Sequence, residues 1–152
     1  MKKWIALVLA FLMIAVAVCA SALDIGEFNQ YAEMFGERDI ANGVTHESDE
    51  GLFTEFQSDG CKIIFREVDG ELKTIYVAGE GDPLLTYSAA ALMVVDPDTK
   101  DAPTNFGNLL YHYLMTKGSG EEEDHMDKTV SGALFGLTRE SDGSFLFMVV
   151  NK

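Results

Sequence analysis

The chain has 152 residues, with 11 Lys plus Arg against 25 Asp plus Glu and a formal charge of −14. Hydrophobic residues make up 47% of it, too many for a disordered acidic tail, and the length suits one domain of ordinary size rather than two independent cores. The acidity argues against a nucleic-acid binder, because phosphate neutralisation needs clustered Lys and Arg.

Residues 1–22 have the three parts of a secretory signal. Lys2 and Lys3 give a positive start, and Trp4–Val18 is a continuous apolar run of fifteen residues. That run falls short of the roughly 20 residues a membrane span takes. Ala20-Ser21-Ala22 then sets small residues three and one positions before a cut after Ala22. The expected working molecule is Leu23–Lys152, 130 residues in which 9 basic groups face 25 acidic ones, with no stable membrane association after cleavage. Lipid attachment at Cys19 is disfavoured because Val18 occupies the place where that processing wants a small residue. Cys61 is then the one cysteine left and has no intramolecular disulfide partner. In Cys61-Lys62-Ile63-Ile64-Phe65 it reads as a half-buried strand residue acting as a small hydrophobe. The short Lys-Lys leader and the cysteine-poor chain point to a bacterial protein, secreted or periplasmic.

Asp24–Phe35 carries Ile25, Phe28, Ala32 and Phe35 on one helical stripe, with Asp24 as cap and Gly36 as stop. Asp39–Glu47 alternates weakly and is taken as a strand. Leu52–Gln57, Cys61–Val68 and Glu71–Ala78 are rich in β-branched and aromatic residues, separated by Ser58-Asp59-Gly60 and Asp69-Gly70. Asp-Gly between two such runs is a strong hairpin signal, since a type I′ turn needs positive φ at both central positions. A simple two-residue turn sets Val68 opposite Glu71 and Phe65 opposite Thr74. Ile63, Phe65, Leu72 and Tyr76 then share one face, and Ile64, Ile75 and Val77 the other, with Lys62, Arg66 and Lys73.

Asp82-Pro83 starts a helix, Pro83–Val95, in which Thr86 and Ser88 are the polar residues. A helix apolar all round must be covered on several sides, by the next helix, by a curled sheet or by a partner that uses Tyr87, Ala89, Ala90 and Met93. A second helix, from about Asn105 to Lys117, has Phe106, Leu109, Leu110, Tyr113 and Leu114 as its apolar stripe. Asn105, Asn108, His112 and Thr116 lie opposite. Gly118–Asp127 reads as a glycine-and-acid loop, and Thr129–Thr138 and Ser144–Val150 as closing strands around Ser141-Asp142-Gly143. The class is α+β, a single domain over residues 23–152. It is expected to hold an antiparallel sheet of about five or six strands with an N-terminal helix and two central helices, in the order α-β3/4-α-α-β2.

The densest charge is Glu121-Glu122-Glu123-Asp124 with His125 and Asp127, which reads as a solvated loop because no turn converges those groups on one ion. Asp96-Pro97-Asp98-Thr99-Lys100-Asp101 resembles a calcium loop only in its carboxylate spacing. It lacks the Gly at position 6 and the Glu at position 12, and reads as a connector. His46, His112 and His125 show no metal-ligand spacing, and His112 reads as a surface residue. Gly118-Ser119-Gly120 is not a nucleophile elbow. No catalytic, metal-binding or cofactor-binding residue is assigned.

The expected function is a non-enzymatic binding or protein-interaction module, its acidity steering a cationic protein or peptide. The alternative is a small secreted hydrolase or metal-dependent enzyme using His112 or His125 with carboxylates.

Overall fold

A computed structural model describes residues 25–37, 39–95, 102–119, 124–128 and 134–151. Residues 1–22, expected as a leader, residues 96–101, expected as a connector, and residues 121–123 and 129–133 lie outside the described residues. The fold is α+β, as expected, with three helices on one face of an antiparallel sheet.

Helix α1 spans residues 25–34 and buries Phe28 and Ala32, with Ile25 packed against the core. Its end is a Schellman arrangement on Gly36, whose φ is 87°. Glu37 N donates to Ala32 O at 3.1 Å and Gly36 N to Glu33 O at 2.9 Å. Phe35, expected on the buried stripe, lies just past the last helical residue and is 43% exposed. Asn29 then clamps the returning chain: its Nδ2 donates to Ile40 O at 3.0 Å, and Ile40 N donates to its Oδ1 at 2.8 Å. This amide stands in for a strand partner and buries Ile40, so the expected strand over Asp39–Glu47 begins only at Val44.

The sheet consists of two meanders. The first is β1 (Val44–Ser48), β2 (Gly51–Ser58), β3 (Cys61–Val68) and β4 (Glu71–Gly79). The second is β5 (Asp124–Lys128), β6 (Leu134–Arg139) and β7 (Phe145–Val150). They join where β4 pairs with β7, giving the order β1-β2-β3-β4-β7-β6-β5. The strand beyond those expected is β5. The backbone of the supposed loop pairs with β6 from Asp124↔Thr138 to Lys128↔Leu134. Charged edge residues of this kind discourage pairing with another chain.

Both Asp-Gly turns have the expected backbone, with φ of 49° and 78° at Asp59-Gly60 and 55° and 78° at Asp69-Gly70. The register beyond the second turn differs from the simple hairpin. Val68 faces Glu71 as expected, but the pairing shifts between Arg66 and Glu67 and sets Phe65 opposite Ile75. One extra residue in β4, Lys73, is a bulge whose carbonyl accepts from Asn151 N at 2.8 Å. A one-residue slip turns every later side chain over. Ile75 and Val77 therefore join Ile63 and Phe65 in the core, and Tyr76 moves to the opposite face with Ile64, correcting the face assignment made from the sequence.

Helix α2 (Gly81–Val95) crosses β3, β4 and β7 and is flanked by α3 (Ala102–Ser119). Tyr87 and Ala90 are 0% exposed and Ala89 is 3% exposed, so these three positions of α2 are enclosed within the fold, while Met93 is half-buried. Phe28 of α1 stacks on the Tyr87 ring with centroids 6.0 Å apart, and the Tyr87 hydroxyl hydrogen-bonds Ser58 Oγ (2.8 Å) and Asp59 Oδ2 (3.0 Å) at the β2–β3 turn. Burial pushes that phenol up to about 12.

Candidate ligand-binding site

Helix α3 docks with Leu109 and Tyr113 inward, one turn apart. This rotates the expected stripe. Leu114 is 58% exposed, Tyr111 59% and Met115 51%, while His112 is half-buried with its ring 6.4 Å from Phe135 and 5.5 Å from Tyr111. The expectation of a surface histidine opposite the apolar stripe is thus corrected. An apolar row spread from Phe106 to Leu114 is wider than one contact face, and the fold selects the part that meets β6 and β7.

Tyr113 leads to the candidate site. Its ring packs on Phe145 with centroids 4.8 Å apart, and Lys117, one turn later, holds its Nζ 5.6 Å from the Tyr113 ring centre. Together with Glu80, Gly81, Arg139 and Gly143 these residues line an open cleft of about 540 Å³. It sits at one end of the sheet, where α3 finishes, α2 begins and β6 turns into β7.

Arg139 is the unusual member. β6 alternates, and Phe135 and Leu137 point to the helices and are fully buried. Arg139 is next on that row, opposite Phe145, so a guanidinium continues a core-facing line. Its Nη1 is buried and has no hydrogen-bond partner among the described residues. A buried donor without a partner is rare in native proteins, and a bound ion or ligand is one way to satisfy it.

One carboxylate, Glu80, lines the cleft with the two cations, and no ion pair found among the described residues joins it to Lys117 or Arg139. Asp142, in the β6–β7 turn, accepts from Ser144 N at 2.9 Å and Ser144 Oγ at 2.6 Å. Those bonds hold its carboxyl below the usual range and commit it to its own turn. The ion pairs found among the described residues, Lys62–Glu55 and Lys73–Glu71, involve neither Lys117 nor Arg139. Helix α3 itself carries no Asp or Glu.

The opposite end of the sheet has the opposite sign. The β1–β2 and β3–β4 turns border a second cleft, of about 440 Å³, lined by Glu47, Asp49, Glu50, Glu67 and Asp69. No group of three or more His, Cys, Asp or Glu among the described residues is arranged to hold a metal ion.

The remaining residues singled out from the sequence are dispersed. His46 stacks on Phe53 across β1 and β2, with rings 5.5 Å apart. Cys61 is 1% exposed and its thiol is pushed up to about 11 by burial, with Gly79 tight against its Sγ. His125, Asp124 and Asp127 belong to β5, and Asp96–Asp101 lie outside the described residues. Sequence reasoning passed over Arg139. The detectable sign was a charge in phase with Phe135 and Leu137. Comparisons with protein-family models, curated proteins and solved structures found no match to this chain.

Proposed function

We propose that this chain is an exported, non-enzymatic binding module whose ligand presents an anionic group to Lys117 and Arg139. The observation that carries this reading is the core-facing Arg139, its Nη1 buried and unpartnered, beside an open cleft with a second cation. A guanidinium presents donors in a planar fork that matches a carboxylate or phosphate, and Tyr113 and Phe145 supply a firm aromatic wall. Binding is favoured over turnover because the one carboxylate in the cleft, Glu80, has neither a histidine nor a second carboxylate in the lining, whereas His112 is packed between Tyr111 and Phe135.

The test is thermal unfolding in phosphate or acetate against chloride at matched ionic strength, for wild type and Arg139→Gln. A rise in Tm with the oxyanion that disappears in the variant supports the reading. Equal Tm in all three salts rejects it.

Export rests on the leader, with cleavage after Ala22 and no lipid. Intact-mass measurement of protein from an exporting host is expected to give a chain beginning at Leu23. An acylated Cys19 would refute that expectation.

A second reading, a cationic protein or peptide as partner, is favoured by the five-carboxylate cleft at the other end of the sheet. Long-range attraction between opposite charges would speed that encounter.

A further inference from the structure

The surface next to the cleft narrows the class of ligand, on the premise that the Lys117–Arg139 cleft is the binding site. Leu114 stands four residues after Leu110, three after Tyr111 and three before Lys117, so these side chains are neighbours on α3. Tyr111 and Leu114 are both more than half exposed, and Leu110 is half-buried. The apolar strip they form runs along the helix and ends at Lys117, the edge of the cleft. From Leu110 to Lys117 the helix advances about 10 Å, the span of about three extended residues.

The complementary ligand carries a negative group at one end and about three residues of apolar chain behind it. We propose that the site binds the free C-terminus of a partner polypeptide: the terminal carboxylate between Lys117 and Arg139, the last apolar side chains along Leu110, Tyr111 and Leu114. A terminal carboxylate suits the place because it lies at the end of its chain and can enter the cleft while the preceding residues stay on the helix. An internal Asp or Glu side chain would have to carry chain on both sides past the β6–β7 turn. The absence of acidic residues on α3 lowers local repulsion along the helix, although Glu80 lines the cleft and the whole chain carries −14.

Fluorescence polarisation with a labelled peptide ending in Val-Leu-Leu tests this, using the free acid, the C-terminal amide and inorganic phosphate as competitor. The free acid should bind about tenfold or more tightly than the amide, since the amide gives up a charge-assisted hydrogen bond. Arg139→Gln and Lys117→Gln should each abolish most of that preference. Lys117 is exposed, so its variant keeps the test valid if Arg139→Gln fails to fold. Leu114→Ser should weaken both peptides while preserving the preference for the acid. Equal binding of acid and amide overturns the proposal. Competition-free binding of phosphate that depends on Lys117 and Arg139, with no peptide binding, also overturns it but leaves the anion-binding reading standing. Absence of binding by all three probes overturns both.

Discussion

The β3–β4 hairpin lets a single backbone position be perturbed without touching a packed side chain. Gly70 has φ of 78° and no heavy atom within 4 Å of the place where a Cβ would stand. In Gly70→Val the whole cost is therefore conformational. An L-residue held in the left-handed region loses about 1–2 kcal/mol, and a β-branched one up to about 3. The stiffer unfolded chain returns about 0.5–1 kcal/mol. A net loss of about 1–2 kcal/mol follows, and with a urea slope of about 1–3 kcal/mol/M the midpoint should fall by about 0.3–2 M. Gly60 has the same φ and the same open surroundings, so Gly60→Val should match it. Gly70→Asn should be mild, because Asn tolerates this region. Gly51→Val should be worse than either, because a Cβ there would lie 2.3 Å from the Glu67 carbonyl oxygen. Gly107→Ala is the opposite control: it sits within α3 with open space around it and should raise the midpoint slightly. Unchanged midpoints for both Gly70→Val and Gly60→Val would refute the turn assignment and the strain argument together.

Ala90→Glu places a charge at a position 0% exposed in the middle of α2 and should cost several kcal/mol, enough to prevent folding; circular dichroism reporting a native-like spectrum would contradict the enclosure of that position. Stability should also fall at alkaline pH. Burial raises Cys61 from 9.0 to about 11 and Tyr87 from 10.0 to about 12, so the folded chain keeps protons that the unfolded chain has already released. That contribution is complete below about pH 9 and is lost as pH rises towards about 12, read from urea midpoints across the range. A flat profile from pH 9 to 12, or prompt reaction of native Cys61 with a thiol reagent at pH 8, would count against the burial.

What could be read from the sequence were features written into local chemistry. Asp59-Gly60 and Asp69-Gly70 specify turns by their backbone preferences alone, Gly36 ends α1 for the same reason, and the unbroken apolar character of α2 implies enclosure. What escaped was set by pairing between distant segments. The bulge at Lys73 leaves no mark in Leu72-Lys73-Thr74-Ile75, because that stretch has apolar residues in both phases and either register offers a plausible face. The choice is made by β7, whose residues Phe147 and Val149 bring Val77 and Ile75 to the inner side. In α3 the apolar residues outnumber what one face can bury, so the docked stripe depends on β6. Strand β5 lacks β-branched and aromatic residues and forms because β6 offers an open edge. Arg139 was open to detection, since the alternation of β6 runs on into it, but an arginine at a strand end passes for a solvated terminus until the neighbouring helix is known.

The two readings of the ligand diverge most clearly in their salt dependence. With a formal charge of −14, the chain repels an approaching anion out to about a Debye length, about 8 Å at physiological ionic strength and farther at low salt. The local attraction in the cleft, with Arg139 Nη1 buried, acts at contact and is screened less. For an anionic ligand, moderate salt should therefore speed association by shielding the overall field, while the dissociation rate rises only modestly. For a cationic partner drawn to Glu47, Asp49, Glu50, Glu67 and Asp69, the same salt should slow association, because it removes the steering. Stopped-flow association with the free-acid peptide at about 20 and 200 mM salt separates them, since the sign of the change is at issue rather than its size. If association with that peptide slows as salt rises, the anion does not meet the protein as argued, and the cation pair at Lys117 and Arg139 is not where it lands.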